Sequence, residues 1–207
     1  MSVSQIDVAA FLGGADIYLI DQFMRKRIAP GMKVLDAGAG GGRNTLFSLR
    51  IGCDVQACDH NPEALGALKK RVAEAGDLPG KLLGTDQLEI EAMAYAAGSF
   101  DFVISNAVLH FARDEAHFAQ QMQAMWTVLK TGGTFFARVS TSDGIMDALT
   151  PLGAGRYRLP TGQEWFLTSV SALKDMSEAL CGELIDPVKS SLVDGQRTMT
   201  TWVMKKQ

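Results

Sequence analysis

The chain has 207 residues, with 20 lysines and arginines against 23 aspartates and glutamates and a formal net charge of −3. Its 47% apolar and 21% charged residues exclude disorder and suit a single domain with a sizeable core. The mild acidity argues against a stand-alone nucleic-acid binder, and the longest apolar stretch, broken by Ser105, Asn106 and His110, is too short and polar to span a bilayer.

The N-terminal stretch from Gln5 to Ile28 predicts one or two helices. Ile6, Ala9, Ala10 and Leu12, then Ile17, Ile20, Phe23, Met24 and Ile28, recur at helical spacing, with Gly13-Gly14 as the break. No basic region or apolar run suggests a signal peptide at the start. Pro30-Gly31 makes a turn. Lys33 to Ala37 is a short strand running into glycines, and Arg43 to Ile51 a helix. Asp54 to Cys58 is a second strand, ending at Asp59. Asn61 and Pro62 suit the cap and first position of a helix reaching Ala75. A third strand falls at Lys81–Gly84 or at Gln87–Glu89.

Phe100 to Ser105 reads as a strand, Asp114 caps a helix to about Leu129, Lys130–Gly133 is a turn, and Thr134–Val139 is a strand. Further on, Arg156–Leu159 and Glu164–Leu167 flank a hairpin turn, and Val170–Leu180 is helical. Leu184–Val193 and Arg197–Lys205 are two closing strands about Asp194-Gly195. Strands alternating with helices predict a parallel sheet covered on both faces.

The segment Val34-Leu35-Asp36-Ala37-Gly38-Ala39-Gly40-Gly41-Gly42-Arg43-Asn44 is the most informative. A glycine-rich turn between strand and helix lets backbone approach a ligand and offers free N–H groups. Asp59 follows Asp36 by 23 residues, at the end of the second strand, where a carboxylate accepts hydrogen bonds from a ribose diol. The dinucleotide pattern G-x-G-x-x-G needs glycine where Arg43 stands. A pyrophosphate also gains nothing from a carboxylate such as Asp36 beside the loop. A ligand carrying an ammonium and a sulfonium suits Asp36, which favours S-adenosylmethionine over NAD.

With these motifs, Gly98-Ser99-Phe100-Asp101-Phe102-Val103-Ile104-Ser105, and Leu129-Lys130-Thr131-Gly132-Gly133, the sequence resembles the class I S-adenosylmethionine-dependent methyltransferases over roughly residues 30–140. Gly41-Gly42-Arg43-Asn44 with Asp59-His60-Asn61-Pro62-Glu63-Ala64 looks most like the tellurite-resistance (TehB-like) branch. The resemblance implies an α/β fold. Its sheet is doubly wound, mostly parallel, seven-stranded and Rossmann-like, with helices on both faces and an antiparallel C-terminal strand. One methyltransferase domain is implied, with residues 1–29 a helical cover, 30–140 the cofactor core, and 141–207 an acceptor cover and closing strands.

The implied cofactor is S-adenosylmethionine, leaving S-adenosylhomocysteine. Asp36, Gly38, Ala39 and Gly40 surround its methionine part, with Arg43 opening the helix. Asp59 takes the ribose and His60 packs on the adenine. Glu89, with Ile90 beside it, meets the adenine amino group, Asp86 being the alternative. Asn106 and Ala107 approach the methionine part. The acceptor is a small molecule such as a tellurium or selenium oxyanion or another metabolite.

No residue is marked as catalytic by sequence, and His110 and Arg138 are the candidates. His110 reads either as a pocket residue or base, or as a hydrogen-bonded structural histidine. Arg138 reads either as an acceptor-site cation or as one arm of a salt bridge. Arg156 and Arg158 are read as cover cations or solvated charges, His117 as a surface or first-turn residue, and Met122, Met125 and Trp126 as core. The histidine and cysteine spacings predict no metal site. Three cysteines without a C-x-x-C pair point to a reducing cytoplasm. A monomer or homodimer without nucleic-acid or membrane partners is expected. The rival readings are a nicotinamide oxidoreductase, a nucleic-acid methyltransferase and a binding module without turnover. Arg43 and the lack of a Tyr-x-x-x-Lys pair count against the first. Ser105-Asn106-Ala107-Val108, with no Pro-Pro-aromatic run, counts against the second.

Overall fold

The computed structural model describes residues 7–207. Gln5 and Ile6, where the first predicted helix begins, lie outside them. The architecture is mixed α/β around a mostly parallel sheet whose last strand is antiparallel. The chain packs as two compact units that meet in sequence at Leu88 and Glu89.

In the first unit, α1 (Val8–Leu12) and α2 (Ile17–Met24) are separate helices. Asp7 caps α1 by accepting from the Ala10 N–H at 3.0 Å, and Asp16 caps α2 by accepting from Tyr18 at 2.9 Å. Such caps satisfy orphan first-turn donors. The Arg50 guanidinium donates to the Ala10 and Phe11 carbonyls, and so closes the other end of α1. Strand β1 (Lys33–Ala37), helix α3 (Arg43–Ile51), strand β2 (Asp54–Asp59), helix α4 (Pro62–Glu74) and strand β3 (Leu82–Gln87) follow. β1 pairs parallel with β2, Lys33 against Asp54, and β2 pairs parallel with β3. β1 and β2 bury most of their residues, as expected of strands covered on both faces. Phe47 of α3 takes Phe11 and Phe23 edge-on, at 6.3 and 5.9 Å. The third strand covers Leu82 to Gly84 of the first predicted position but only Gln87 of the second.

The second unit opens with a 3-10 turn, Ile90–Ala92, then β4 (Phe100–Asn106), a second 3-10 turn, Leu109–Phe111, and α5 (Glu115–Val128). β5 (Leu129–Thr141) leaves α5 without a break. The predicted turn at Lys130–Gly133 is a bulge inside this strand. Phe100 pairs with Leu129, yet Phe102 pairs with Thr134. Lys130 ties the bulge to Asp101 at 2.6 Å.

A small antiparallel sheet follows: β6 (Thr150–Gly153), β7 (Arg156–Arg158) and β8 (Glu164–Phe166). The predicted hairpin is therefore joined by a third strand. Helix α6 (Val170–Ala179) is capped by Ser169. The strand predicted over 184–193 is two short ones, β9 (Gly182–Leu184) and β10 (Lys189–Val193), with Pro187 between them. A proline cannot donate to a ladder. Both pair antiparallel with β11 (Arg197–Lys206), which also pairs antiparallel with β5. The main sheet thus has a path of seven strands with β9 set off it. Trp202 of β11 is fully buried against Phe135 at 5.5 Å and donates its indole N–H to Ser177 at 2.9 Å. Met122, Met125 and Trp126 are core, as their spacing predicts.

Candidate functional site

The glycine loop joins the end of β1 to α3. Gly38, Gly40 and Gly42 all hold left-handed backbone, with φ of 75°, 52° and 77°. At Gly42 any side chain would strike Leu68, its Cβ falling 2.5 Å from Cγ. At Gly40 and Gly41 a Cβ would meet nothing within 4 Å, so those two glycines border open space. The N–H groups of Gly38 and Ala39 both donate to the Cys58 carbonyl at 2.9 Å. Gly40 donates to Oδ2 of Asp59 at 2.8 Å, and Asn61 donates to the other oxygen at 2.9 Å. Asp59 therefore holds the loop and starts α4 at once.

Asp36 is 1% exposed and accepts from the Thr45 hydroxyl at 2.6 Å. Burial pushes its carboxyl up to about 6, against the pull of Thr45 and with the charge of Asp59 adding to the rise. Thr45, in the first turn of α3, is a residue that sequence reasoning passed over. A hydroxyl three positions after the last loop glycine was its only signal. Arg43 is exposed at the start of α3. His60 is exposed, with Nδ1 3.5 Å from Asp59. The structure thus gathers Asp36, Gly38, Ala39, Gly40, Arg43, Asp59 and His60 about one loop. Asp86 lies in β3 and accepts from Gln56 at 2.9 Å.

The second unit carries the remaining candidates. Glu89 is exposed just before the first 3-10 turn, and Ile90 is buried in it. That turn is held through Glu91, whose Oε1 lies 2.7 Å from Nε2 of His117 and 3.7 Å from Arg113. The Arg113 N–H donates to Nδ1 of His117, so Nε2 carries the imidazole proton. Burial raises the Glu91 carboxyl, but its own backbone N–H, His117 and Arg113 outweigh that and hold it below the usual range. His117 does stand in the first turn of α5 but is buried, not at the surface. Its apparent exposure at a helix start concealed the partner 26 residues upstream.

At the end of β4 the chemistry changes. Ser105 Oγ, both amide atoms of Asn106 and Nδ1 of His110 are buried without a hydrogen-bond partner. Ala107 holds left-handed backbone, φ 62°, and donates its N–H to the Arg138 carbonyl at 2.8 Å. Strained non-glycine backbone clusters at active sites and ligand clamps, and buried unsatisfied polar groups are rare enough in native structures to call for a cause. Arg138 pairs with Asn106 in register and donates to Thr201 across β11 at 3.2 Å. Asn106, Ala107 and Arg138 are thus neighbours.

His110 is 3% exposed and packed against the rings of Phe111 and Trp165. Burial, with the charge of Arg197 adding to it, pushes its imidazole down to about 4. Arg158 is exposed to solvent and pairs there with Glu164 at 2.6 Å. Arg156 donates to the Glu164 carbonyl.

Residues 35–137 match the methyltransferase-domain family. An uncharacterised methyltransferase from Synechocystis is 33% identical over 108 residues, covering 52% of this chain and 47% of that protein. The chain spans about half the length of such curated relatives. An S-adenosylmethionine-dependent methyltransferase from Methanosarcina mazei has a similar structure, with a TM-score of 0.72 at 17% identity, covering 89% of this chain and 96% of that one. TehB from Haemophilus influenzae superposes with a TM-score of 0.68 at 22% identity, covering 93% of this chain and 62% of that one.

Proposed function

We propose, for a chain whose residues 35–137 belong to the methyltransferase-domain family, that it methylates a small-molecule acceptor with S-adenosylmethionine as donor. The carrying observation is the left-handed glycine loop locked onto Asp59, with Asp36 buried at its base. Asp59 accepts from the ribose hydroxyls. Asp36 faces the ammonium, whose charge restores an ionised carboxylate. Gly38, Ala39 and Gly40 line the methionine part, and the open space at Gly40 and Gly41 suits a ligand against bare backbone. Arg43 flanks the loop, and His60 covers the adenine. Glu89 and Ile90 are assigned to the adenine, and Asn106 and Ala107 to the methionine part. The orphaned Asn106 amide fits a polar ligand.

The donor, when bound, supplies an already activated methyl group. The chain's own contribution is to hold the two reactants in line and exclude water, a gain that reaches ~7–11 kcal/mol in well-oriented systems. Residues 150–167, carrying Tyr157, Trp165 and Phe166, cover the acceptor. A cytoplasmic setting is supported by three cysteines outside any disulfide. Among the described residues, no helix is long and apolar enough to cross a membrane.

Calorimetry with S-adenosylmethionine, S-adenosylhomocysteine and NAD tests the reading. The first two bind and NAD does not. Absence of binding by the first two overturns it. Asp59→Ala weakens donor binding at least tenfold, and unchanged affinity refutes the ribose role. Release of S-adenosylhomocysteine across an acceptor series that includes tellurite and selenite then tests the TehB-like branch.

A further inference from the structure

Trp165 of β8 lies tilted against the His110 ring, with centroids 4.3 Å apart and planes at 34°. Phe111 flanks the same imidazole at 4.6 Å and meets Trp165 edge to face at 6.2 Å. Together the three rings make a corner. Its Phe111 wall is 63% exposed, although Trp165 beside it is half-buried and His110 almost wholly buried. An exposed ring set against other rings marks a binding surface more readily than an isolated one.

The small sheet explains how the corner is held. Tyr157 pairs with Trp165, so both stand on one face. Phe166 points to the other face and packs on Phe118 of α5 at 5.4 Å. One face therefore anchors the sheet, and the other presents aromatic side chains. Nδ1 of His110, whose ring forms one side of the corner, is buried without a partner, an unmet hydrogen bond that a ligand hydroxyl or N–H relieves. The charge of Arg197 reaches the same imidazole and favours electron-rich ligand atoms there.

We propose that this corner binds the methyl acceptor, and that the acceptor is a planar aromatic or heteroaromatic molecule bearing a ring hydroxyl or N–H. The inference rests on the methyltransferase reading above. The ligand ring packs on Phe111 and Trp165, and its polar group hydrogen-bonds to the imidazole. A tellurium or selenium oxyanion offers no face for these rings and is better solvated by water.

Tryptophan fluorescence tests the proposal directly, because Trp126 and Trp202 are buried and Trp165 is the tryptophan that a ligand meets. The full chain is titrated with 1,4-benzoquinol and 4-hydroxyquinoline, with cyclohexanol and tellurite as comparators. The two ring compounds give a saturable change and the comparators give none. By calorimetry, Phe111→Ala weakens ring binding about tenfold, the scale of one lost aromatic contact. S-adenosylhomocysteine binding, measured on the same samples, is unchanged by that substitution. An equal response to cyclohexanol, or unchanged ring affinity in Phe111→Ala, overturns the proposal. Donor binding without any fluorescence change overturns this inference alone. No donor binding overturns the methyltransferase reading and the acceptor role with it, even where the fluorescence change persists.

Discussion

The glycine loop after β1 and the segment after β4 are both strand ends rich in polar atoms, yet they are built in opposite ways. At the loop each carboxylate already has protein partners: Asp59 takes the Gly40 and Asn61 amides, and Asp36 takes the Thr45 hydroxyl. After β4, Ser105, Asn106 and His110 keep buried polar atoms with none. The first end is rigid before any ligand arrives. The second carries unmet hydrogen bonds whose cost a ligand removes. Under the proposed function, the loop defines where the donor's polar groups rest, and the β4 end stores binding energy.

The contrast is broken most forcefully at Gly42. Gly42→Val combines left-handed backbone with a collision at Leu68, and costs about 2–5 kcal/mol of stability. Thermal unfolding measures this, and an unchanged midpoint means that the loop is not the rigid element described. Next is pH. Burial raises the Asp36 carboxyl from its ordinary 3.8 to about 6 in the folded chain. Below about 4 both states carry the proton and the contribution is fully present. As pH rises, the unfolded chain ionises first, so about 3 kcal/mol of stability is lost by the time pH passes 6. Urea unfolding of wild type against Asp36→Asn should show that slope only in the wild type.

Asn106→Val tests the other end. Removing an orphaned amide leaves the ligand-free chain as stable as before, or firmer by about 1 kcal/mol, while donor binding weakens. Parallel unfolding and calorimetry decide it, and a clear loss of stability means that the amide is satisfied. The smallest effect belongs to Arg158→Ala. Its ion pair with Glu164 is exposed at both ends, so the unfolding midpoint moves by less than the equivalent of about 1 kcal/mol. A larger loss makes the small sheet depend on that pair.

The loop, Asp59 and the Asn61-Pro62 cap were legible because each is specified within a few residues. The glycines set their own backbone, and a short polar residue before a proline announces a helix. What stayed hidden depends on distant partners. His117 meets Glu91 across 26 residues, and its burial follows from that pairing rather than from its helix position. Trp165 reaches His110 from another sheet, which no local pattern encodes. β6 escaped because its proline and glycine look like loop residues, and the sheet that recruits it is formed by β7 and β8. Lys130–Gly133 reads as a turn because of its glycines, and only pairing with Phe100 and Phe102 makes it a bulge within one strand.

The place of β11 has a kinetic consequence. It pairs with β5 on one side and with β9 and β10 on the other, although Thr198 and its partner Thr141 lie 57 residues apart. In the first unit Lys33 finds Asp54 only 21 residues away. Closing the longer loop costs more chain entropy before any contact repays it, and rates fall as contacts become less local. Refolding from denaturant should therefore be staggered. Phe47 and its neighbours order early, whereas Trp202 acquires its buried indole hydrogen bond only in the slow phase.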